Sequence, residues 1–521
     1  MTSSNNKRIA KNTMMLYIRM MLIMVVSLFT VRVVLNTLGA VDYGIYNVVA
    51  GIVVMFTFLS GTMASASLRF FSFELGKNDF KQLNKIFSLT VTMYALISVV
   101  VLVLAQTVGL WFLNTYMTIP AERMSAANWV YQFSIFSFIL TIMTIPYNTA
   151  IIARENMNVF AYISIAEVLL RLAIVYILIL FDVDKLKLYA ALMFSVVLIS
   201  TYLYRSFCAR HYEECKYRFL WDKKLFATLL SFCGWNLFGA LAGMLKIQGT
   251  NILLNMFFGP VVNASRGIAY QLSARINEFV MNFSRAINPQ ITKYYAANDK
   301  NRMFKLIFRG SKFAFFLLFL ISMPLVLEAP YILTLWLSDL PEYIVIFTRL
   351  IIAIALIDSL SYALMTAAQA TGNIKKYQAV VGGTLLLNLP VSYLFLSLGY
   401  PPQTALYVTI ATAVSCLVLR LVMLKKMIGI SVSSYLKSVV LSIVSVSCLA
   451  YTIPLFVLFN LQEGLVRLVI VTFTGALSSL TSIYFIGFSD KERTFVLSEL
   501  KKRVGRKAEK TNRKKIYSYE S

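Results

Sequence analysis

Two polar stretches decide the fold of this chain: GKNDFKQLNKIF at Gly76–Phe87 and AANDKNRMFKLIF at Ala296–Phe308. They share one register about 220 residues apart, and the matched polar pairs are Asn78 with Asn298, Asp79 with Asp299, and Lys85 with Lys305. A second match, of LNTLGAVDYGIYN (Leu35–Asn47) with LNMFFGPVVNASRG (Leu254–Gly267), has nearly the same offset. Chance explains apolar matches between two hydrophobic segments, but it does not explain shared polar residues in one register. The chain therefore predicts an internal repeat.

The composition indicates a membrane protein. Of the 521 residues 59% are hydrophobic and only 14% are charged, whereas a soluble protein has about 25% charged residues. Apolar runs of twenty or more residues recur along the chain, and each is long enough to cross a hydrocarbon core of about 30 Å. The N-terminal segment lacks the short apolar region and small-residue cleavage site of a signal peptide, so we interpret it as a retained first span. The predicted fold class is an all-α polytopic membrane protein.

The apolar runs predict about fourteen transmembrane helices joined by short connections, many of which contain Gly or Pro. Their expected ranges are 13–37, 44–70, 84–112, 125–152, 158–181, 187–208, 226–256, 261–289, 304–328, 343–370, 375–398, 403–427, 435–460 and 464–488. Each copy of the repeat then contains six spans. Because an even number of spans returns the chain to the same side, the copies have the same orientation, with an axis along the membrane normal.

The predicted architecture is therefore two pseudo-symmetric six-helix bundles plus two C-terminal helices. Its parts are an N-terminal bundle (1–210), a cytoplasmic linker (211–225), a C-terminal bundle (226–430), two additional helices (431–488) and a basic cytoplasmic tail (489–521).

Charge is distributed unevenly between the connections. The odd-numbered ones hold only three basic residues, Arg123, Lys185 and Lys187, although the chain has 49 lysines and arginines and a net charge of +26. They also hold eight acidic residues: Asp42, Glu122, Asp182, Asp184, Glu328, Asp339, Glu342 and Glu463. By the positive-inside rule, both termini are expected in the cytoplasm. The basic tail is interpreted as an anchor at an anionic leaflet, because no nucleic-acid-binding fold accompanies it.

The predicted eighth span, RGIAYQLSARINEFVMNFSRAINPQ (Arg266–Gln290), carries a polar stripe. Its members, at spacings of 4, 3, 4 and 3 residues, are Gln271, Arg275, Glu278, Asn282 and Arg285. On a helix they fall within an arc of about 80°. A charge in the middle of a bilayer costs several kcal/mol, so the stripe is expected to face protein or a water-filled cavity. The preceding span adds a second polar face, made of Gln248, Asn251 and Asn255.

The charges assigned to the spans are mostly positive. The basic residues include Arg19, Arg32, Arg69, Arg171, Lys246, Arg266, Arg275, Arg285, Arg349 and Arg467. The acidic residues include Glu167, Glu278 and Asp358. A cation transporter requires acidic residues along its pathway, whereas this surplus of basic residues favours an anionic substrate, with phosphate the expected ligand.

Structural explanations account for some of these charges. Glu167 is expected to neutralise Arg171 four residues later, and Glu278 is the expected counter-ion of the neighbouring Arg275 and Arg285. Three arginines lie close enough to span ends to reach the interface: Arg69, Arg349 and Arg467.

Enzyme and metal chemistry have little support in the sequence. The segment CARHYEEC (Cys208–Cys215) combines two thiols with His211, the only histidine, but its spacing matches no standard zinc site and no metal is predicted. No Walker A loop or hydrolytic arrangement appears, so the chain is not expected to be an enzyme or to need a cofactor. The five cysteines show no disulfide spacing.

Four segments carry a family resemblance through their order and spacing. They are SASLRFFSFELGKNDF after the second span, GWNLFGALAGMLKIQGTNILLNMFFGPVVNASRGIAYQ in the seventh and eighth, INPQITKYYAANDK, and ATGNIKKYQ. In these segments the chain resembles, over nearly its whole length, the polysaccharide-transport branch of the MOP superfamily, the Wzx-type flippases. MATE exporters share the twelve-helix core of that superfamily.

The resemblance implies that a polyprenyl-diphosphate-linked oligosaccharide crosses a bacterial inner membrane through a cationic cavity by alternating access. On the helices that line such a cavity lie Arg32, Lys246, Arg266, Arg275 and Arg285. Energy coupling is left open between a proton carried by Asp358 or Glu278 and the membrane potential. The expected partners are the anionic lipid-linked oligosaccharide, membrane lipids, and a polysaccharide polymerase with its assembly proteins, with no nucleic acid. The alternative function is a MATE-like proton- or sodium-coupled exporter of small organic molecules, which predicts an acidic lumen.

Overall fold

The structure, a computed structural model, describes residues 3–54, 57–117, 119–181, 183–337, 340–490 and 492–494. Its helices are α1 (Ser3–Val54), α2 (Thr57–Lys77), α3 (Phe80–Leu104), α4 (Leu110–Tyr116), α5 (Met124–Ala153), α6 (Met157–Leu180), α7 (Lys185–His211), α8 (Lys223–Ala296), α9 (Lys300–Leu327), α10 (Ala329–Leu337), α11 (Ile344–Ser359), α12 (Tyr362–Ala370), α13 (Lys375–Ser397), α14 (Thr404–Ile428), α15 (Val432–Tyr435), α16 (Leu441–Asn460) and α17 (Leu465–Ser482). Short 3₁₀ and π-helical turns complete these ranges, which contain no β-strand. The all-α prediction is confirmed.

Two of the helices are each divided by a glycine. Gly39 divides α1 at φ 79° and ψ 165°, and Gly259 divides the 74-residue α8 at φ 78° and ψ −173°. Only glycine adopts this backbone region readily, because a Cβ atom there collides with the chain. Each helix therefore consists of two arms, which we call the first and second arms of α1 (3–38, 40–54) and of α8 (223–258, 260–296).

The matched polar segments adopt the same conformation in both copies. Asn78 and Asn298 have φ of 59° and 55°, a left-handed conformation that asparagine tolerates better than most residues. Asp79 and Asp299 then cap the next helix by accepting hydrogen bonds from the backbone N–H groups of Gln82 and Arg302, at 2.9 and 3.0 Å. The turn and the helix cap therefore occur twice, at the same separation in sequence as the matched segments. Gly39 and Gly259 are separated by the same number of residues.

The buried side chains form two large cores, one in each half of the chain. The first is built from residues 16–233, joined by Ala286 and Ile374, and the second from residues 287–483. Helices α16 and α17 pack against each other and against α9. The two halves are thus separate packing units, with the trailing helices attached to the second.

Twelve helices within the described ranges are long and apolar enough to cross a membrane, so the chain has the fold of a multi-pass membrane protein. The expected spans at 44–70 and 261–289 are not among the twelve. Residues 260–296 are helical, but their charged stripe lowers the hydropathy of this arm, and residues 44–70 include positions outside the described ranges. The number of about fourteen spans therefore stays a prediction.

The helix connections define two ends of the molecule. We call the end where α2 meets α3, α5 meets α6, α8 meets α9 and α12 meets α13 the basic end. At the opposite end, Arg123 forms ion pairs with Asp42 and Asp184, which joins three connections of the first half. The arms of α8 meet at Gly259 at this opposite end, and the second arm returns to the basic end.

Candidate functional site

A cavity of about 580 Å³ lies between the arms of α8 and helices α11 and α12. Its polar lining residues are Lys246, Tyr270, Ser273, Arg275, Asn277, Glu278, Arg285, Asp358 and Tyr362. The bend at Gly259 folds the second arm of α8 back beside the first, so that residues far apart in sequence line one space. Five predicted site residues meet here: Lys246, Arg275, Glu278, Arg285 and Asp358.

Two arginines of this cavity form no salt bridge. Arg275, Glu278 and Arg285 are exposed, and within the described ranges none of them forms an ion pair or a side-chain hydrogen bond. Glu278 therefore attracts Arg285 only at longer range, and the expected direct pairing is not formed. Glu278 follows Arg275 in the less favourable acid-after-base order, and it lies seven residues, about 10 Å along the axis, from Arg285. Both guanidinium groups are left available to a ligand.

The other two charges of the cavity lie close to each other. Lys246 Nζ is 3.9 Å from Asp358 Oδ2, and the lysine side chain is only 9% exposed. This distance permits electrostatic attraction but exceeds that of a hydrogen bond. Since Asp358 balances Lys246, the remaining charges are two arginines and Glu278, and the cavity retains a surplus of one positive charge.

Arg266 has a different environment from the cavity arginines. It is 3% exposed, and its guanidinium donates to Asn251 Oδ1 at 2.9 Å and to the Ile247 carbonyl at 2.8 Å. The group also lies 4.4 Å from the centre of the Tyr270 ring. Arg266 therefore ties the two arms of α8 together and positions Tyr270, which lines the cavity.

The other predicted site residues in the described part of the chain are not among those that line the cavity. Asn282 is buried and donates to Met20 Sδ at 3.2 Å. Gln248, Asn255 and Gln271 are exposed. The side chain of Arg32 lies outside the described residues. The assignment of these residues to substrate binding stays a prediction.

Several other charges of the spans have protein partners. Arg171 donates to Glu167 at 2.7 Å, which confirms the expected pair. Arg467 donates two hydrogen bonds of 2.8 Å to Glu328, and Arg349 donates to a backbone carbonyl. These contacts explain why such residues are tolerated within a membrane protein.

Sequence reasoning missed part of the polar interior behind the cavity. Arg420 is 6% exposed and donates to the hydroxyl groups of Tyr377 and Ser361. Tyr362 in turn donates to Asn277 Oδ1 at 3.4 Å. Isolated Tyr, Ser and Asn residues within apolar runs have no periodic signal, so only the packing of α8, α12, α13 and α14 reveals these contacts.

The two halves are joined at the basic end. Lys293 Nζ donates to Glu155 Oε1 at 2.7 Å, and Gln290 donates to Glu155 Oε2 at 2.9 Å. Glu155 is 3% exposed, and its backbone carbonyl accepts from Asn12. On the other flank, Arg69 Nη2 donates to the Ala370 carbonyl at 3.2 Å. These contacts lie beyond the cavity on the side of the basic end, and they close that end.

No protein-family model matches this chain, and no curated protein does. A MATE transporter in complex with MaD3S is similar at a TM-score of 0.68 and 12% identity, covering 83% of this chain and 97% of that one. A point mutant of the MATE transporter VcmN of Vibrio cholerae is similar at a TM-score of 0.63 and 16% identity, covering 82% and 99%.

A third similar structure is a MOP superfamily transporter from Pyrococcus furiosus, in which reverse polarity of the binding pocket suggests a different function. The TM-score is 0.63 at 11% identity, with 79% of this chain and 93% of that chain covered. Such low identities establish the fold and leave the substrate open. The chain therefore has the fold of the MATE transporters of the MOP superfamily.

Proposed function

We propose that this protein is a flippase that moves a polyprenyl-diphosphate-linked oligosaccharide from the inner to the outer leaflet of a bacterial inner membrane. The observation that carries the proposal is the pair of arginines without a salt bridge, Arg275 and Arg285, in a cavity of a membrane protein. Arginine binds phosphate oxygens through charge-assisted hydrogen bonds, and these are strong where water is excluded. A diphosphate has several oxygens and several negative charges, so it can accept hydrogen bonds from both guanidinium groups.

The cavity size and the closed basic end support alternating access. A volume of 580 Å³ lies within the range of about 300–1,000 Å³ typical of small-molecule sites, which suits a diphosphate with its first sugars. If the basic end is cytoplasmic, as the positive-inside rule predicts, the contacts of Glu155 and Arg69 close the cytoplasmic side. The outer leaflet is then the side to which the headgroup is released.

A second function has one specific observation in its favour. Two carboxylates, Glu278 and Asp358, line the same cavity, and a MATE-like exporter of small organic cations requires such groups. The surplus of positive charge favours the flippase, because a cationic substrate has to approach the two available arginines.

The test is translocation of a fluorescent polyprenyl-diphosphate oligosaccharide in proteoliposomes. We expect Arg275→Ala to reduce the flipping rate about 30-fold, because it removes a charge-assisted hydrogen bond worth about 2 kcal/mol. Arg349→Gln, which changes an arginine of α11 outside the cavity lining, is the matched control and should retain the rate. A wild-type protein that flips none of several glycans but exchanges organic cations for protons would establish the exporter instead.

A further inference from the structure

A second cavity, of about 420 Å³, lies at the basic end beside the first arm of α8. Its polar and aromatic lining includes Lys224, Thr228, Ser231 and Trp235 of α8, with Asn373 and Lys375 from the connection to α13. We call it the cationic groove. The site proposed above shares no residue with it.

The cationic groove carries positive charge on two lysines that can bind an anion. Lys224 and Lys375 are exposed, neither forms an ion pair within the described ranges, and the lining contains no carboxylate. Lys375 Nζ lies 5.6 Å from the centre of a Trp235 ring. The side chains of Ser231 and Asn373 have no hydrogen-bond partner in the described part of the chain. Two ammonium groups with neutral donors between them are suited to a phosphate group.

The position of the groove favours a lipid headgroup as the ligand over a soluble anion. It lies at the start of a membrane-capable helix, Lys223–Gly259, where headgroups meet the apolar core. Trp235 is half-buried and Phe232 is buried, so one wall is apolar, and tryptophan is typical of this interface. Basic pockets between transmembrane helices on the cytoplasmic side bind anionic lipid headgroups.

The back of the groove is formed by the contact between the halves. Phe232 packs edge to face on Phe70 of α2 at 5.3 Å, and the Arg69 guanidinium lies 5.8 Å from the Phe232 ring. Arg69 also fills the space beside Gly372, where a Cβ atom would come within 2.5 Å of Nη2. Movement of the halves at the basic end therefore changes the groove.

From this placement we propose that the cationic groove binds the phosphate headgroup of an anionic glycerophospholipid, and that the bound lipid favours the closed basic end. The proposal is independent of the substrate carried by the larger cavity. The lipid phosphate lies between Lys224 and Lys375, and an acyl chain runs along Trp235. Because Phe232 and Gly372 of the groove wall pack against Phe70 and Arg69 of the first half, the bound lipid favours the state in which the halves touch.

The test uses tryptophan quenching of the full-length protein in nanodiscs of phosphatidylcholine. Phosphatidylglycerol with brominated acyl chains should quench more than brominated phosphatidylcholine at equal mole fraction, and Trp235→Phe, which removes one of five tryptophans, should abolish the difference. Lys224→Gln combined with Lys375→Gln should raise the mole fraction for half-maximal quenching about tenfold. Ser231→Leu, which fills the groove without changing its charge, should also remove the preference.

The matched control is Lys425→Gln with Lys426→Gln, an exposed pair at the end of α14, and it should leave the quenching curve unchanged. Three outcomes would overturn the proposal. These are equal quenching by the two lipids, an equal shift in the control pair, or displacement of the brominated lipid by millimolar inorganic phosphate, which would indicate a soluble-anion site.

Discussion

The second arm of α8 and its counterpart between Gly39 and Asn78 share backbone features at both ends. They differ in their charged side chains. Both begin after a glycine of positive φ and lead to an asparagine of positive φ and an aspartate cap. In the counterpart, the positions equivalent to Arg275, Glu278 and Arg285 are Met55, Phe58 and Ser65. The three charges of the stripe thus have no charged counterpart at the equivalent positions. The glycine bend and the aspartate cap occur in both segments, whereas these charges occur in one.

The largest effect on the flipping rate is expected from the arginines in the second arm of α8. Arg275→Ala combined with Arg285→Ala should lower the flipping rate about 1,000-fold, because each guanidinium contributes about 2 kcal/mol and the two act on separate oxygens. Ser65→Ala, at the position equivalent to Arg285, should change the rate by no more than about fivefold, since a neutral hydrogen bond is worth about 1 kcal/mol or less. Flipping rates in proteoliposomes measure both. Equal losses in the two copies would contradict the asymmetry.

The contact between the halves gives the next largest effect. Glu155→Gln leaves Lys293 without its carboxylate, and breaking a buried ion pair costs about 3–5 kcal/mol, so the basic end should open. Cys233, which is 7% exposed in the core shared by the halves, should then be alkylated at least about a hundredfold faster. Peptide mass spectrometry reads out this rate, with exposed Cys448 as the internal reference. An unchanged rate at Cys233 would show that other contacts keep the end closed.

The repeated glycines should respond alike. Gly39→Ala and Gly259→Ala each place a Cβ in a backbone region that costs about 1–3 kcal/mol, and no other atom lies within 4 Å of either Cβ. We expect similar losses of thermal stability in detergent, and Gly383→Ala, in a helix with equally open space, should be neutral or stabilising. A loss confined to one copy would show that the two bends differ in function.

The repeated caps should give a smaller and equal effect. Asp79→Ala and Asp299→Ala each remove the side-chain acceptor of one hydrogen bond at a helix start, which costs about 1 kcal/mol. Chemical denaturation of the two variants should give losses of unfolding free energy that agree within error. Asp→Asn at either site retains the acceptor and should restore most of the stability.

The smallest effect is expected at Glu492, which forms ion pairs with Arg309 and Lys312 in the second half of the chain. Burial alone would raise its pKa, but the Ser489 N–H and the charges of Lys312 and Arg309 lower that pKa below its usual value. A depressed folded pKa stabilises the protein above the unfolded pKa of about 4.3, and this contribution is lost as the pH falls through the folded pKa. Thermal stability of the wild type should therefore fall between about pH 6 and acidic pH by more than that of Glu492→Gln. If the thermal stability of the wild type and of Glu492→Gln changed equally with pH, Glu492 would not contribute to the pH dependence of stability.

Much of the fold was predictable, because its signals are local. Runs of apolar residues predict membrane helices, and the paired Asn–Asp segments predict an internal repeat; both segments adopt the same turn and helix cap. The number of spans stays a prediction. The polar stripe lowers the mean hydropathy of residues 260–296, so this arm is not among the helices that are apolar enough to cross a membrane. Domain boundaries were inferred from the repeat and stay predictions.

The site was predictable only in part. Three members of the stripe, Arg275, Glu278 and Arg285, line one cavity, because helix geometry relates residues a few positions apart. The stripe spacing did not show that Arg266 would be held by Asn251, nor that Glu278 would leave both arginines without a salt bridge. Arg420 was overlooked because its partners come from other segments of the chain.

The sequence predicts an all-α fold class, basic and acidic sets of connections, an internal repeat and a surplus of arginine within the apolar segments. These properties depend on composition, periodicity and residues close in sequence. Which charges meet depends on tertiary packing: Lys246 faces Asp358, and Glu155 binds Lys293 at the basic end. Those outcomes depend on side chains from helices more than a hundred residues apart, and a charge in a low-dielectric interior is satisfied or free according to such neighbours.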